Sequence, residues 1–235
     1  MYNRNLLFLL ICVLPFANLK SQDSIPNYDS IDSRYLEDQF YAGLAYNVLL
    51  NKPNDDVIQR NLSYGLQLGF IKDIPINLKR NFGFGIGVGY GTNSYYSNII
   101  AENVSSSITY RLSVDEDQLN RTKFETHGIE FPFELRWRTS NAVDYKFWRV
   151  YTGIKTSYLF SRRSKFISDT VGASTSFQNN NISQWQYGLT LNFGYNTWNV
   201  HFYYSLNPLL ENNAILNNEV IEIRPFRVGI IFYIL

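Results

Sequence analysis

Residues 129–138 read Ile129-Glu130-Phe131-Pro132-Phe133-Glu134-Leu135-Arg136-Trp137-Arg138. Successive side chains of an extended strand take opposite faces. Ile129, Phe131, Phe133, Leu135 and Trp137 therefore share one face, and Glu130, Glu134, Arg136 and Arg138 share the other. One face is fit for hydrocarbon, while the other carries both signs of charge. A soluble sandwich has the reverse arrangement, with apolar groups inside and charge in water. Large aromatic residues on one strand face, repeated along most of the chain, suit lipid outside and a polar lumen inside a closed barrel. The pattern predicts an all-β chain folded as a single eight-stranded antiparallel transmembrane β-barrel of the outer-membrane type.

Seven further alternating segments surround this one. Expected strands lie at about 38–50, 59–73, 81–93, 146–162, 183–196, 198–207 and 221–235, with the opening motif inside a strand at about 122–139. The strand at 81–93 sets Phe82, Phe84, Ile86, Val88 and Tyr90 against an unbroken glycine face of Gly83, Gly85, Gly87, Gly89 and Gly91. That face either leaves room for bulky neighbours such as Arg136, Arg149 and Arg227, which we favour, or marks sharp barrel curvature. Connections alternate in length. Those at about 74–80, 140–145 and 196–198 are short, and those at about 51–58, 94–121, 163–182 and 208–220 are long or polar. Short turns belong on the periplasmic side and long loops outside, which predicts periplasmic N- and C-termini. Residues 104–114 also alternate and suit a hairpin above the membrane.

The N-terminus reads as an export signal over residues 1–22, with Arg4 as its positive end and Leu6 to Ala17 as a short apolar core. Cleavage is expected near Ser21–Asp23, followed by a periplasmic tail at 23–37 and the barrel at 38–235. The single cysteine, Cys12, falls in the signal, so the mature chain is expected to hold no disulfide and no Cys metal ligand. Charged residues make up 17% of the chain with a net charge of +1, and no basic stripe stands out, so a nucleic-acid partner is not expected. Aromatics also reach 17%, as the girdles of an outer-membrane barrel require.

By parity, Glu130, Glu134, Arg136, Arg138, Arg149, Lys155, His201 and Arg227 all point into the lumen. An eight-stranded barrel is just wide enough for side chains, so these charges must pair or stay hydrated. A structural plug is the leading expectation, with a narrow solute path and a catalytic site behind it. Positions such as Ser63 and Thr190, on the same inner face, are expected to tolerate arginine better than the outer face does. Catalysis by a Ser-His-acid set lacks support: His127 and His201 are the only histidines, neither lies in a nucleophile motif, and the neighbours of His127 point away from it. No His pair suits a metal. The acidic run Asp115-Glu116-Asp117 reads as a solvated loop rather than a weak calcium site. Gly83-Phe84-Gly85 is no phosphate loop, since no helix follows. No enzyme activity, cofactor or metal is expected.

The segments IEFPFELRWRTS (129–140), YKFWRVYTGIKTSYLFSRRSKF (145–166), YSLNPLL (204–210) and RVGIIFYIL (227–235) together resemble the PorT/SprT family of Bacteroidota. The resemblance runs from about Phe40 to Leu235 and is densest from Glu130 to Phe166. It implies an outer-membrane barrel associated with type IX protein secretion and gliding motility, acting as a non-enzymatic accessory or assembly factor. Partners implied are outer-membrane lipid and other secretion components. The alternative is a general small barrel with a structural role or loops that bind a ligand.

Overall fold

A computed structural model of the chain describes residues 38–59, 61–77, 79–104, 107–114, 119–139, 147–168 and 174–234. The expected signal at 1–22 with Cys12, the tail at 23–37, the connection at 140–145 and the run Asp115-Glu116-Asp117 lie outside the described residues.

Thirteen strands form: β1 (Gln39–Leu50), β2 (Tyr64–Pro75), β3 (Phe82–Tyr96), β4 (Ile99–Val104), β5 (Ser107–Leu112), β6 (Leu119–Arg138), β7 (Trp148–Ser168), β8 (Ser174–Gln178), β9 (Trp185–Tyr195), β10 (Trp198–Ser205), β11 (Ile215–Leu216), β12 (Glu219–Val220) and β13 (Arg224–Ile234). Eight of them close a ring in the order β1-β2-β3-β6-β7-β9-β10-β13, with every neighbour antiparallel and β13 paired back onto β1. Closure removes the unpaired strand edges that hydrocarbon cannot satisfy.

The alternation read from sequence holds on the outer wall. Phe131, Phe133, Leu135 and Trp137 are exposed, whereas Glu130, Glu134, Arg136 and Arg138 are buried. Exposed tryptophans and tyrosines gather at the two ends of the wall, while Phe131 and Phe133 stand between them. Phe82, Trp137, Trp148, Tyr195 and Trp198 stand near the short turns, and Tyr46, Trp185, Tyr187 and Tyr204 near the long connections. Such girdles mark the two membrane–water interfaces. Trp148 packs on Phe193 and Tyr195 with ring centroids 5.4 Å apart in both pairs.

Several boundaries move for local reasons. The second barrel strand begins at Tyr64 rather than near 59, because Asn61 takes a left-handed backbone (φ 58°) and Ser63 is turned to accept the Tyr96 amide at 2.9 Å. The last strand begins at Arg224 rather than 221, because Ile221 and Ile223 are drawn into a separate core. The stretch 163–182 is not an open loop: β7 continues to Ser168 and pairs with β8. Within the alternating run at 104–114, Ser107–Leu112 (β5) pairs antiparallel with β4, to which Val104 belongs. Asn217 and Asn218, both at positive φ, form a two-residue turn between Leu216 and Glu219, which pair across β11 and β12. Two positive φ values in a two-residue hairpin are the signature of a type I′ turn.

Candidate functional site

The lumen carries two layers of ion pairs. Near the short-turn end, Asp73 of β2 lies between two guanidinium groups of β6. Arg138 grips it with both nitrogens, at 2.9 and 2.7 Å, and Arg136 reaches it at 3.1 Å. Arg136 also donates to Glu134 at 3.2 Å and to the Gln39 side chain at 3.0 Å. Its guanidinium lies 4.4 Å from the centroid of the Tyr151 ring, and the Tyr233 ring is 5.7 Å away. Asn192 donates to the other Glu134 oxygen at 3.1 Å. These residues come together because i and i+2 on a strand share a face, so Glu134, Arg136 and Arg138 form one inward row opposite the inward residues of β1 and β2.

Toward the long-connection end, Glu130 carries the second layer. Lys155 meets it at 3.0 Å and Arg227 at 3.5 Å. Lys155 also donates a short hydrogen bond to Gln67. Arg227 lies 4.1 Å from the Tyr203 ring centroid and donates to the Tyr95 hydroxyl at 3.4 Å. Arg149 instead turns to the turn end of the barrel, donating to the Asn196 carbonyl at 2.8 Å and stacking 4.5 Å from Phe147. His201 bonds Asn192 through Nδ1. All eight lumen residues named from sequence are therefore buried, at 6% exposure or less. Asp73, also buried, was not among them although it holds two arginines.

The inner face of β3 is shaped to its neighbours on β2 and β6. A Cβ added at Gly85 would lie 2.7 Å from Arg136 Nε, and at Gly91 it would overlap the Glu130 carboxylate. At Gly89 it would overlap the Tyr41 hydroxyl, and at Gly87 it would lie 3.1 Å from Pro132 Cγ. Gly83 faces the Ile74 carbonyl at 3.0 Å. Arg149 and Arg227, expected as occupants of this space, are not its nearest groups, because β7 and β13 lie further round the ring. Among the described residues, a void of about 10 Å³ bounded by Ala45, Gly65, Gln67, Asn93, His201 and Arg227 holds at most one water. Ser63 and Thr190 face inward, at 0% and 3% exposure.

Sequence reasoning missed a second feature. The described residues of the long connections pack into an apolar cap at that end of the barrel. Leu49, Val57, Tyr95, Ile99, Phe124, Leu159, Ile182, Leu209, Leu210, Ala214, Leu216, Ile221 and Ile223 form one buried cluster. Polar side chains stitch its rim. Asn179 donates to Ser164 at 2.7 Å and to the Tyr110 hydroxyl at 3.0 Å, and Asn98 links to the backbone of Asp56 and Ile58. Burial holds the Tyr110 hydroxyl above its ordinary pKa.

His127 faces outward rather than inward. Tyr90 bonds its Nδ1 at 2.6 Å and Glu125 its Nε2 at 3.2 Å. Glu125, two residues away, shares its face, so the reading that its neighbours point elsewhere holds for Thr126 alone. The ring is thus held between the Tyr90 hydroxyl and the Glu125 carboxylate. Ser161 lies opposite His127 in the register, and among the described residues no hydrogen bond joins them.

Solved structures similar to the chain include the following. One is the attachment invasion locus protein Ail of Yersinia pestis, 13% identical with a TM-score of 0.36, over 84% of this chain and 97% of that one. Another is Ail in complex with the heparin analogue sucrose octasulfate, 13% identical with a TM-score of 0.35, over 85% and 99%. No curated protein sequence matches the chain. The sequence pattern described as "Outer membrane protein beta-barrel domain" matches residues 16–211, most of the chain. With its closed ring of eight antiparallel strands, the chain belongs to the outer membrane protein beta-barrel domain family.

Proposed function

We propose that the protein is a non-enzymatic, non-conducting small outer-membrane barrel that acts through its outer surface. The observation that carries this reading is double occlusion: two layers of buried ion pairs fill the lumen, and an apolar cap fills the mouth. What is left for interaction is the rim, the cap and the wall. We place the long-connection end outside the cell and both termini in the periplasm, following the rule for short and long connections. The lumen charges act as a structural plug in this reading. The cap displays apolar side chains to solvent on its hairpins, with Val104 on β4 and Ile215 paired with Val220 across β11 and β12. In a deletion strain, a chain carrying Val104→Asp, Ile215→Asp and Val220→Asp is expected to insert normally, judged by gel mobility before and after boiling, yet fail to restore function. Full complementation would move the role off the cap.

A finer reading is favoured by the segments 129–140, 145–166, 204–210 and 227–235, which resemble the PorT/SprT family. On that reading the barrel is an accessory or assembly factor of type IX secretion, and its partners are other components of that system. Deleting the gene then leaves secretion cargo in the periplasm with outer-membrane composition unchanged. Normal cargo release in the deletion strain removes this reading and leaves the general one standing.

A further inference from the structure

Just beyond the apolar wall, the outward face of β6 and β7 changes chemistry within one turn of residues. The wall here ends in aromatic groups. Tyr90 stacks on Phe160 with centroids 6.3 Å apart, and Tyr158 meets Trp185 at 5.1 Å. Beyond them the same face carries His127, Glu125, Lys123 and Arg121 on β6, and Ser161, Arg163 and Lys165 on β7. The register sets His127 opposite Ser161, Glu125 opposite Arg163 and Lys123 opposite Lys165. The intervening Thr122, Phe124, Thr126 and Ser164 are buried on the other side, which fixes the orientation. On β8, Ser176 opposite Lys165 and Gln178 opposite Arg163 continue the face with neutral hydrogen-bonding groups.

Arg163 faces Glu125 favourably, whereas Lys123 and Lys165 face each other as like charges. Like charges directly opposite each other on antiparallel strands destabilise the pair. The one carboxylate on the face is already engaged, since Glu125 contacts both Lys123 and His127. Among the described residues, Arg121, Arg163 and Lys165 have no ion-pair partner. Three uncompensated cations thus stand together at the height where the hydrocarbon layer gives way to headgroups.

We propose that this face of β6 and β7 binds the phosphate of an anionic membrane lipid. The occupant follows from position and charge. The face follows the lipid-contacting wall beyond a register shift at His127/Gly128, so its neighbour at that height is a lipid headgroup. The three cations supply the countercharge, and Ser161, Ser176 and Gln178 supply neutral hydrogen-bonding groups to phosphate oxygens. The aromatic groups below hold the acyl region of the same lipid against the wall. The inference rests on the membrane barrel fold and is independent of whether the barrel serves secretion.

The test uses the folded full-length mature barrel in bilayer discs of phosphatidylcholine doped with phosphatidic acid. Lipid retained after gentle detergent extraction is measured by native mass spectrometry. The wild type is expected to retain phosphatidic acid in preference to phosphatidylcholine. Arg163→Gln with Lys165→Gln lowers that retention by about fivefold per cation removed, the effect of one basic residue at a membrane surface. Arg163→Lys, which keeps the charge, retains the lipid. Lys52→Gln, in a different connection, leaves retention unchanged. Boiling-dependent gel mobility checks that each variant is folded; Arg163 is exposed and Lys165 partly exposed, so folding is expected to survive. Equal retention of the two lipids by the wild type, or full retention by the double variant, overturns the proposal. Displacement of the lipid by inorganic phosphate marks a free-anion site and overturns it as well.

Discussion

Replacing Asp73 with Asn is expected to lower the unfolding free energy of the reconstituted barrel by about 3–5 kcal/mol, the cost of stranding a buried charge. Asp73 is fully enclosed and contacts both Arg136 and Arg138. Without it, the bidentate grip of Arg138 is gone, and two cations confront each other across a neutral amide. Arg136 retains Glu134 at 3.2 Å. Glu134→Gln is therefore expected to cost less, because Arg136 then still has Asp73. Pairing Asp73→Asn with Arg138→Met restores part of the loss, since an ion pair removed whole leaves no uncompensated charge. Urea titration in lipid vesicles measures all three. A loss under about 1 kcal/mol for Asp73→Asn is incompatible with a dry ion-pair layer and implies a water-filled lumen.

Leu66→Arg is expected to destabilise the inserted barrel by about 2–4 kcal/mol, the depth-dependent cost of a cation on the lipid face near the midplane. Leu66 pairs with Leu44 on β1 and Thr92 on β3, and its side chain is 46% exposed on the outer wall. Ile230→Arg, facing out on β13, is expected to behave alike. In a soluble protein, an arginine at so exposed a site changes stability by less than about 0.5 kcal/mol. Folding titrations into lipid vesicles separate the two cases. An effect near zero at both positions would place this wall in water.

The period-two signal carried most of this fold. The outward and inward faces of β1, β3, β6, β9, β10 and β13 are legible from alternation alone, because each outer face is read by hydrocarbon and each inner face by a crowded lumen. Asp73 escaped because Ile71-Lys72-Asp73 looks like the end of a strand running into a turn. Continued parity puts Ile71 and Asp73 inside and Lys72 outside, as found. The contact of Glu125 with His127 was within reach of the same rule, while Tyr90 required the register of β3 against β6. The cap was not legible in that way. Its apolar residues, such as Ile99, Ile182, Leu210 and Ile221, are scattered through four connections with no shared period. Only the closed ring brings those connections together. The Asn217-Asn218 pair was a local turn signal within that region, and it does mark a hairpin.

Planar-bilayer recording of the purified wild-type barrel tests the occlusion most directly. Among the described residues, the ion pairs around Asp73 and Glu130 lie inside the barrel and the apolar cap lies at the long-connection end. The barrel is predicted to insert without a stable open conductance in simple salt, whereas sustained ohmic current from the wild type would contradict a filled lumen and with it a role confined to the outer surface.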